Sequence, residues 1–343
     1  MKELYNKINK EQLKNRLLQS EEKRFTLSFY KYYKIKNVAF FRNYLYYHLD
    51  LLDVCGRVYV AEEGINAQVS VPDFQMGAFI EFLNEINFLN GIRLNYAIED
   101  DGKSFYVLKI KIRAKIVADG LDDSTFDAGN GGEHIDAATF NNLADSDQTI
   151  VVDMRNHYES EVGHFESAIC PDVETFREAL PVVENILDNH KEKNIIMYCT
   201  GGIRCEKASA YYKHKGFEKV YQLDGGIIEY ARQVQEQELE NKFKGINFVF
   251  DDRLGETISS EIISNCHQCG NPSARHINCS NEACHILFIQ CETCAELYNH
   301  TCSDQCKDFI TLTVEEQKPL KDQIKFNGTK FGKGRFKPNQ TNL

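Results

Sequence analysis

Missing from this 343-residue chain is any uninterrupted apolar run of roughly 18 residues, the length a helix needs to cross a bilayer. Missing also, across Met1 to Lys10, is the apolar core of a secretory signal. Neither a membrane span nor export is expected, which makes the cytoplasm the expected compartment. No Gly-x-Gly-x-x-Gly fingerprint occurs and no facial His/His/carboxylate spacing stands out, so no flavin or nicotinamide motif is seen and no iron site is indicated. Lys34-Ile35-Lys36-Asn37-Val38, after the first expected strand, lacks a phosphate-cradling glycine loop, which argues against acylphosphatase activity.

What is present is a globular composition, 42% hydrophobic and 27% charged, in a chain long enough for two or three domains. The net charge of −11 argues against an unspecific polyanion binder, yet it hides an asymmetry. Residues 1–36 carry ten Lys/Arg against four Glu, and residues 318–343 carry seven against one Asp, so each end is about +6. Basic ends either neutralise phosphates of a nucleic acid or are simply solvated. Of twelve cysteines, eight crowd into residues 266 to 306, and in a reducing compartment such clustering points to metal or redox chemistry.

The pattern predicts an α/β multidomain chain. A surface helix lies within residues 1–24. Residues 25–118 then run strand (Phe25 to Tyr33), helix (Val38 to Leu52), two strands flanking Glu62-Glu63-Gly64-Ile65-Asn66, helix (Phe74 to Leu89), and strands near Arg93 to Tyr96 and Phe105 to Ile112. That order is the split arrangement of a ferredoxin-like, or acylphosphatase-like, α+β domain. Its Phe29, Tyr30, Tyr32 and Tyr33 either stack bases or belong to core and rim, and Arg57 is a candidate RNA contact. Residues 119–134, rich in Gly and Asp, read as a linker. Over residues 135–243, strands at Thr149 to Asp153, Asn194 to Cys199 and Lys219 to Leu223 alternate with helices, implying a parallel sheet closed by a polar helix from Glu229 to Phe243. A small cysteine-rich domain over residues 244–310 and a basic tail over 311–343 complete the chain.

Cys199 is expected at the carboxyl end of a strand, where ligands of open parallel sheets bind. Thr200-Gly201-Gly202-Ile203-Arg204 runs from it straight into a helix. Paired glycines let backbone N–H groups turn inward, and the helix N-terminus adds partial positive charge, so this cradle lowers a thiol pKa and holds an anion. A buried structural cysteine is the plainer alternative.

Val152-Asp153-Met154-Arg155 with Glu159, Gly163-His164-Phe165 and Ala168 resembles the first signature of rhodanese domains, and Cys199 to Arg204 resembles their active loop. That likeness implies a Cys199 persulfide held by loop amides and Arg204, with Asp153 and Arg155 bracing the loop; those two could equally be a structural ion pair. Rhodanese-like phosphatases resemble Cys-x5-Arg, whereas Cys199 and Arg204 enclose four residues, which suits sulfur or a small adduct better than phosphoryl. With Cys205-Glu206-Lys207, Asp224-Gly225-Gly226-Ile227, Ala61 to Asn66 and Cys266-His267-Gln268-Cys269-Gly270, the chain resembles the bacterial rhodanese-domain tRNA uridine hydroxylases from about Phe25 to Cys306. The resemblance implies oxygen-dependent formation of 5-hydroxyuridine at the wobble position, with molecular oxygen as co-substrate and the tRNA anticodon region as partner. Uracil is electrophilic at C6, so Cys199 would attack there or act through its persulfide, with Cys205 either resolving an oxidised Cys199 or packing. The alternatives are a sulfurtransferase carrying sulfur on Cys199 and a non-catalytic RNA or protein adaptor.

The eight clustered thiols form Cys-x2-Cys, Cys-x4-Cys, Cys-x2-Cys and Cys-x3-Cys pairs, enough for two structural zinc sites. In cross-braced order Cys266, Cys269, Cys291 and Cys294 hold one ion and Cys279, Cys284, Cys302 and Cys306 the other. Sequential pairing, reduced thiols, disulfides and an iron-sulfur cluster are the other readings. Oligomeric state is not legible.

Overall fold

The structure is a computed structural model and describes residues 4–122, 125–126, 129–321, 323–328 and 335–337. It divides into two compact units: residues 1–157, 167–242 and 249–256 form the first, and 158–166, 243–248 and 257–343 the second. No helix among the described residues is long and apolar enough to cross a membrane.

The first unit begins with α1 (Lys10–Gln19), capped by the Asn9 side chain, followed by a mixed sheet. Its strands are β1 (Arg24–Tyr32), β2 (Cys55–Ala61), β3 (Gly64–Pro72), β4 (Asn95–Tyr96) and β5 (Leu108–Ile112), ordered β4-β1-β3-β2-β5. The first four have the order of a ferredoxin-like sheet, and β5 adds a fifth strand parallel to β2. Period-two alternation divides its faces. Leu27, Phe29, Val58, Ile65, Ala67 and Val69 turn to one side, where α2 (Val38–Leu51) and α3 (Met76–Glu85) bury them with Phe41, Leu45, Phe79 and Phe82. Ser28, Tyr30, Arg57, Asn66 and Gln68 turn to the other. Phe29 is therefore core and unavailable to stack a base, because its parity puts it under the helices.

A parallel sheet follows in the same unit: β6 (Glu133–Ile135), α4 (Ala137–Ala144), β7 (Thr149–Asp153), α5 (Phe176–Leu187), β8 (Asn194–Tyr198), α6 (Ile203–His214), β9 (Lys219–Leu223) and α7 (Gly226–Glu236), with strand order β6-β9-β8-β7. Branched and apolar residues of the inner strands are buried on both faces, as a helix-covered parallel sheet requires.

Two segments differ from the sequence reading. Residues 119–134 are not a free linker: Asp119 is fully buried against Lys115 at 2.7 Å and Lys207 at 3.5 Å, and Glu133 to Ile135 pair with β9, contacts made by polar residues that leave no apolar signature. Residues 123–124 and 127–128 of that stretch lie outside the described residues. The closing helix ends at Glu236, and Phe243–Asn247 is instead a strand with period-two burial, paired antiparallel with Gly163–Phe165 in the second unit.

The basic tail has structure of its own. It begins with a capped helix, Val314–Leu320, and later packs aromatics into the second unit, Phe326 against Phe309 and Phe336 stacked on Phe288. Residues 322, 329–334 and 338–343 of that tail, like residues 1–3, lie outside the described residues.

Lys207 ties the two sheets of the first unit together. It is 1% exposed, with Nζ 2.7 Å from Glu63 and 5.5 Å over the Tyr32 ring. Removing one partner of a buried ion pair strands the other charge. Lys207→Met is expected to cost about 3 kcal/mol by urea unfolding; an unchanged midpoint would show that the pair is not what joins the sheets.

Candidate active site

Cys199 follows the last residue of β8, and the loop after it is held from three sides. On the first side is β7. Met154 N–H donates to Tyr198 O at 2.9 Å, while Arg155 donates Nε and Nη2 to Asp153 and lies 5.7 Å over the Tyr198 ring. Asp153 and Arg155 are completely buried, so they fix the residue before the thiol rather than meet a ligand.

On the second side is the N-terminus of α7. Ile227 N–H donates to Cys199 O at 3.0 Å and Ile228 N–H to Thr200 O at 3.3 Å. Gly226 makes this approach possible: its φ is +68° and a Cβ there would meet those two carbonyl oxygens at 2.5 and 2.6 Å. On the third side is the ferredoxin-like sheet. Tyr32 donates its hydroxyl to Ile203 O at 3.3 Å and Tyr30 to Glu206 at 3.1 Å. Gly202, at φ +94°, turns the chain into α6 with the Tyr30 hydroxyl 2.9 Å from where a Cβ would stand.

Within this frame the Gly202 amide donates to Cys199 Sγ at 3.2 Å. Burial pushes the Cys199 thiol up, but hydrogen bonding from Cys205, the Arg204 charge and the amides of Arg204 and Gly202 outweigh it and bring the pKa to about 6. Burial and the bond to Cys199 push the Cys205 thiol well above the ordinary range, leaving it a protonated donor. A thiol with a pKa of about 6 is mostly thiolate at neutral pH.

Cys199, Thr200, Gly201, Ile203 and Arg204 form one wall of a cavity of about 350 Å³, within the range of small-ligand pockets. The facing wall is the polar side of the ferredoxin-like sheet, with Ser28, Arg57, Asn66, Gln68 and Asn95. Phe250 closes another side, and the Arg204 guanidinium lies 6.0 Å over its ring.

Asn66 ends the Ala61 to Asn66 run that carries the family resemblance, but nothing in the sequence singles out Gln68 or Asn95 as site residues. Their alternation marks a polar face, but what covers it is set by the Cys205-Glu206-Lys207 side of α6. Beside the loop, Glu206 meets His134 at 3.4 Å and Asp224 meets both His134 and Arg93, and the bond to Glu206 leads the effects that raise the His134 pKa to about 9.

In the second unit, considered by itself, the eight clustered thiols gather as Cys266, Cys269, Cys291, Cys294 and as Cys279, Cys284, Cys302, Cys306, the sulfurs of each set lying within 4.8 Å of one another. First pairs with third and second with fourth, the cross-braced order. All twelve cysteines of the chain are free of disulfides. Amide donors reach the second set: Cys302 N–H to Cys279, Gly328 N–H to Cys284, Asn281 Nδ2 to Cys306 and Asn327 Nδ2 to Cys302, at 3.3 to 3.5 Å. Donors to sulfur of this kind suit thiolates that ligate a metal.

A parallel sheet with an amide-lined cysteine loop at its carboxyl end, joined to an acylphosphatase-like sheet, defines a rhodanese-domain protein of compound architecture. Family models match accordingly: a UPF0176 acylphosphatase like domain over residues 24–116, a Rhodanese-like domain over 136–233 and a Rhodanase C-terminal region over 244–307. A tRNA uridine(34) hydroxylase of Enterobacter sp. is 54% identical over 92% of this chain and 90% of its own, and one of Photorhabdus laumondii is 51% identical over 97% and 95%. The chain belongs to the tRNA uridine(34) hydroxylase family.

Alkylation of Cys199 by iodoacetamide, followed peptide by peptide against pH, should rise with a midpoint near 6. Arg204→Leu removes a cation that favours the thiolate and should move that midpoint upward. A native midpoint at the ordinary thiol value of about 8.5 would contradict the cradle.

Proposed function

We propose that this protein converts the wobble uridine of tRNA to 5-hydroxyuridine in the cytoplasm, with molecular oxygen as co-substrate and Cys199 as nucleophile. The observation that carries the proposal is a thiolate in an amide cradle that opens onto a nucleobase-sized cavity lined by carboxamides, in a chain whose relatives bear that name. The Cys199 thiolate adds to uracil C6 and leaves the electron pair as an enolate over C5 and O4. C5 then bonds oxygen to give a hydroperoxide. Two thiols of an external reductant deliver two electrons and two protons, cleaving the O–O bond to a C5 hydroxyl and water and forming one disulfide. Loss of the C5 proton and expulsion of the thiolate restore the C5–C6 double bond.

Arg204 and the amides of Gly202 and Arg204 hold the thiolate before attack and after its release, and Cys205 remains a hydrogen-bond donor to it. Thr200, Gly201 and Ile203 shape the wall on which the base rests. Arg57 is exposed at the cavity and has no ion-pair partner among the described residues, which supports a role in meeting a phosphate of the tRNA.

The two four-thiol sets fit zinc, because four sulfurs at mutual hydrogen-bond-like spacing are a tetrahedral donor set. Cys266, Cys269, Cys291 and Cys294 would hold one ion, and Cys279, Cys284, Cys302 and Cys306 another, each supplying folding free energy to a segment with little apolar core.

Cys199→Ser should abolish 5-hydroxyuridine in tRNA incubated with the protein, oxygen and a dithiol, read by nucleoside mass spectrometry. A gain of sulfur in place of oxygen would support a persulfide-carrying sulfurtransferase instead. Metal analysis after reducing purification should find two zinc ions per chain; fewer than about one would defeat the two-site assignment.

A further inference from the structure

The polar face of the ferredoxin-like sheet places four side chains in one cross-strand row. Asn95 stands opposite Ser28, Ser28 opposite Gln68, and Gln68 opposite Arg57. All four line the cavity whose other wall holds Cys199, Thr200 and Gly201. The row grades from the inside outward, because Asn95 is 4% exposed, Gln68 is half-buried and Arg57 is exposed.

Asn95 is the anomaly in that row. Its Oδ1 is buried and accepts no hydrogen bond. Leaving a buried acceptor unpaired costs about 1–3 kcal/mol, so such atoms are rare where nothing is to be bound. Its Nδ2 stands 3.6 Å from the position a Cβ on Gly201 would take, so the carboxamide lies beside the reactive loop. The Thr200 hydroxyl, on the same wall as Cys199, is a second buried oxygen without a partner.

Uracil presents an N3–H donor beside the O4 acceptor. A carboxamide matches that edge with two parallel hydrogen bonds, as Asn does with other bases. We infer that Asn95 reads the uracil edge, with Oδ1 accepting from N3–H and Nδ2 donating to O4. The hydrogen bond to O4 falls on the oxygen that gains charge when sulfur adds at C6, so the same contact orients the base and favours the addition. This assignment rests on the proposed uridine chemistry of the cavity.

The test pairs a substrate change with a protein change. Full-length tRNA carrying 3-methyluridine at the wobble position lacks the N3 donor, and wild-type kcat/KM should fall about 10- to 100-fold relative to uridine. Asn95→Ala should lose a similar factor on uridine and show almost no further loss on 3-methyluridine, because the two changes delete one contact. The Cys199 alkylation midpoint and the unfolding midpoint of the variant should match wild type. Equal wild-type rates on the two tRNAs would overturn the assignment whatever the variant does. So would a 3-methyl penalty that Asn95→Ala leaves at full size. No 5-hydroxyuridine from unmodified tRNA with wild-type protein would overturn the hydroxylase reading itself, and the assignment with it.

Discussion

A negatively charged sulfur at a position with 1% exposure is the constraint on which the rest of the first unit depends. Taking an anion out of water is costly unless fixed dipoles and a counter-charge replace the lost solvation. Here the replacements are the Gly202 and Arg204 amides, the Cys205 thiol and the Arg204 charge. Such donors serve only if the loop cannot relax away from the sulfur. Asp153 and Arg155 hold it through Tyr198, α7 holds the carbonyls of Cys199 and Thr200, and Tyr30 and Tyr32 hold the start of α6.

That last set of contacts brings two sheets to the same loop. A rhodanese loop by itself offers an activated sulfur but no surface that recognises a base. The ferredoxin-like sheet covers its apolar face with α2 and α3 and turns the polar face toward the loop, which gives the sulfur a wall of carboxamides and hydroxyls to work against. Lys207, three residues after Arg204, makes the join rigid by drawing Glu63 and Asp119 into one buried ionic cluster. Glu63 belongs to the Glu62-Glu63-Gly64-Ile65-Asn66 run, and Asn66 from the same run lines the cavity. One short segment thus both fastens the sheet and furnishes the site.

The second unit solves a different problem. Its buried cluster is built largely of cysteines, with Ile286 and Phe288, and it gains further cover from Phe326 and Phe336. A core so rich in sulfur has little apolar area to oppose chain entropy, so a metal held by each of the two thiol sets would supply stability that the core does not.

Much of this was legible in the residue order. Local patterns specify the strand-loop-helix at Cys199, the period-two faces of the ferredoxin-like strands and the grouping of the eight thiols, because each depends on neighbours a few residues apart. The linker reading of residues 119–134 failed because polar residues there are buried by partners far away in sequence, as Asp119 is by Lys207, and the closing helix stops short at Glu236. The sequence by itself determined which cysteine sits in the strand-loop-helix and which family the loop resembles. Only the tertiary structure decided which thiols share a cluster and which face meets the loop. Asn95 lines the cavity because β4 pairs with β1 and sets its carboxamide beside Gly201, 106 positions further along the chain. No local propensity encodes a proximity of that kind.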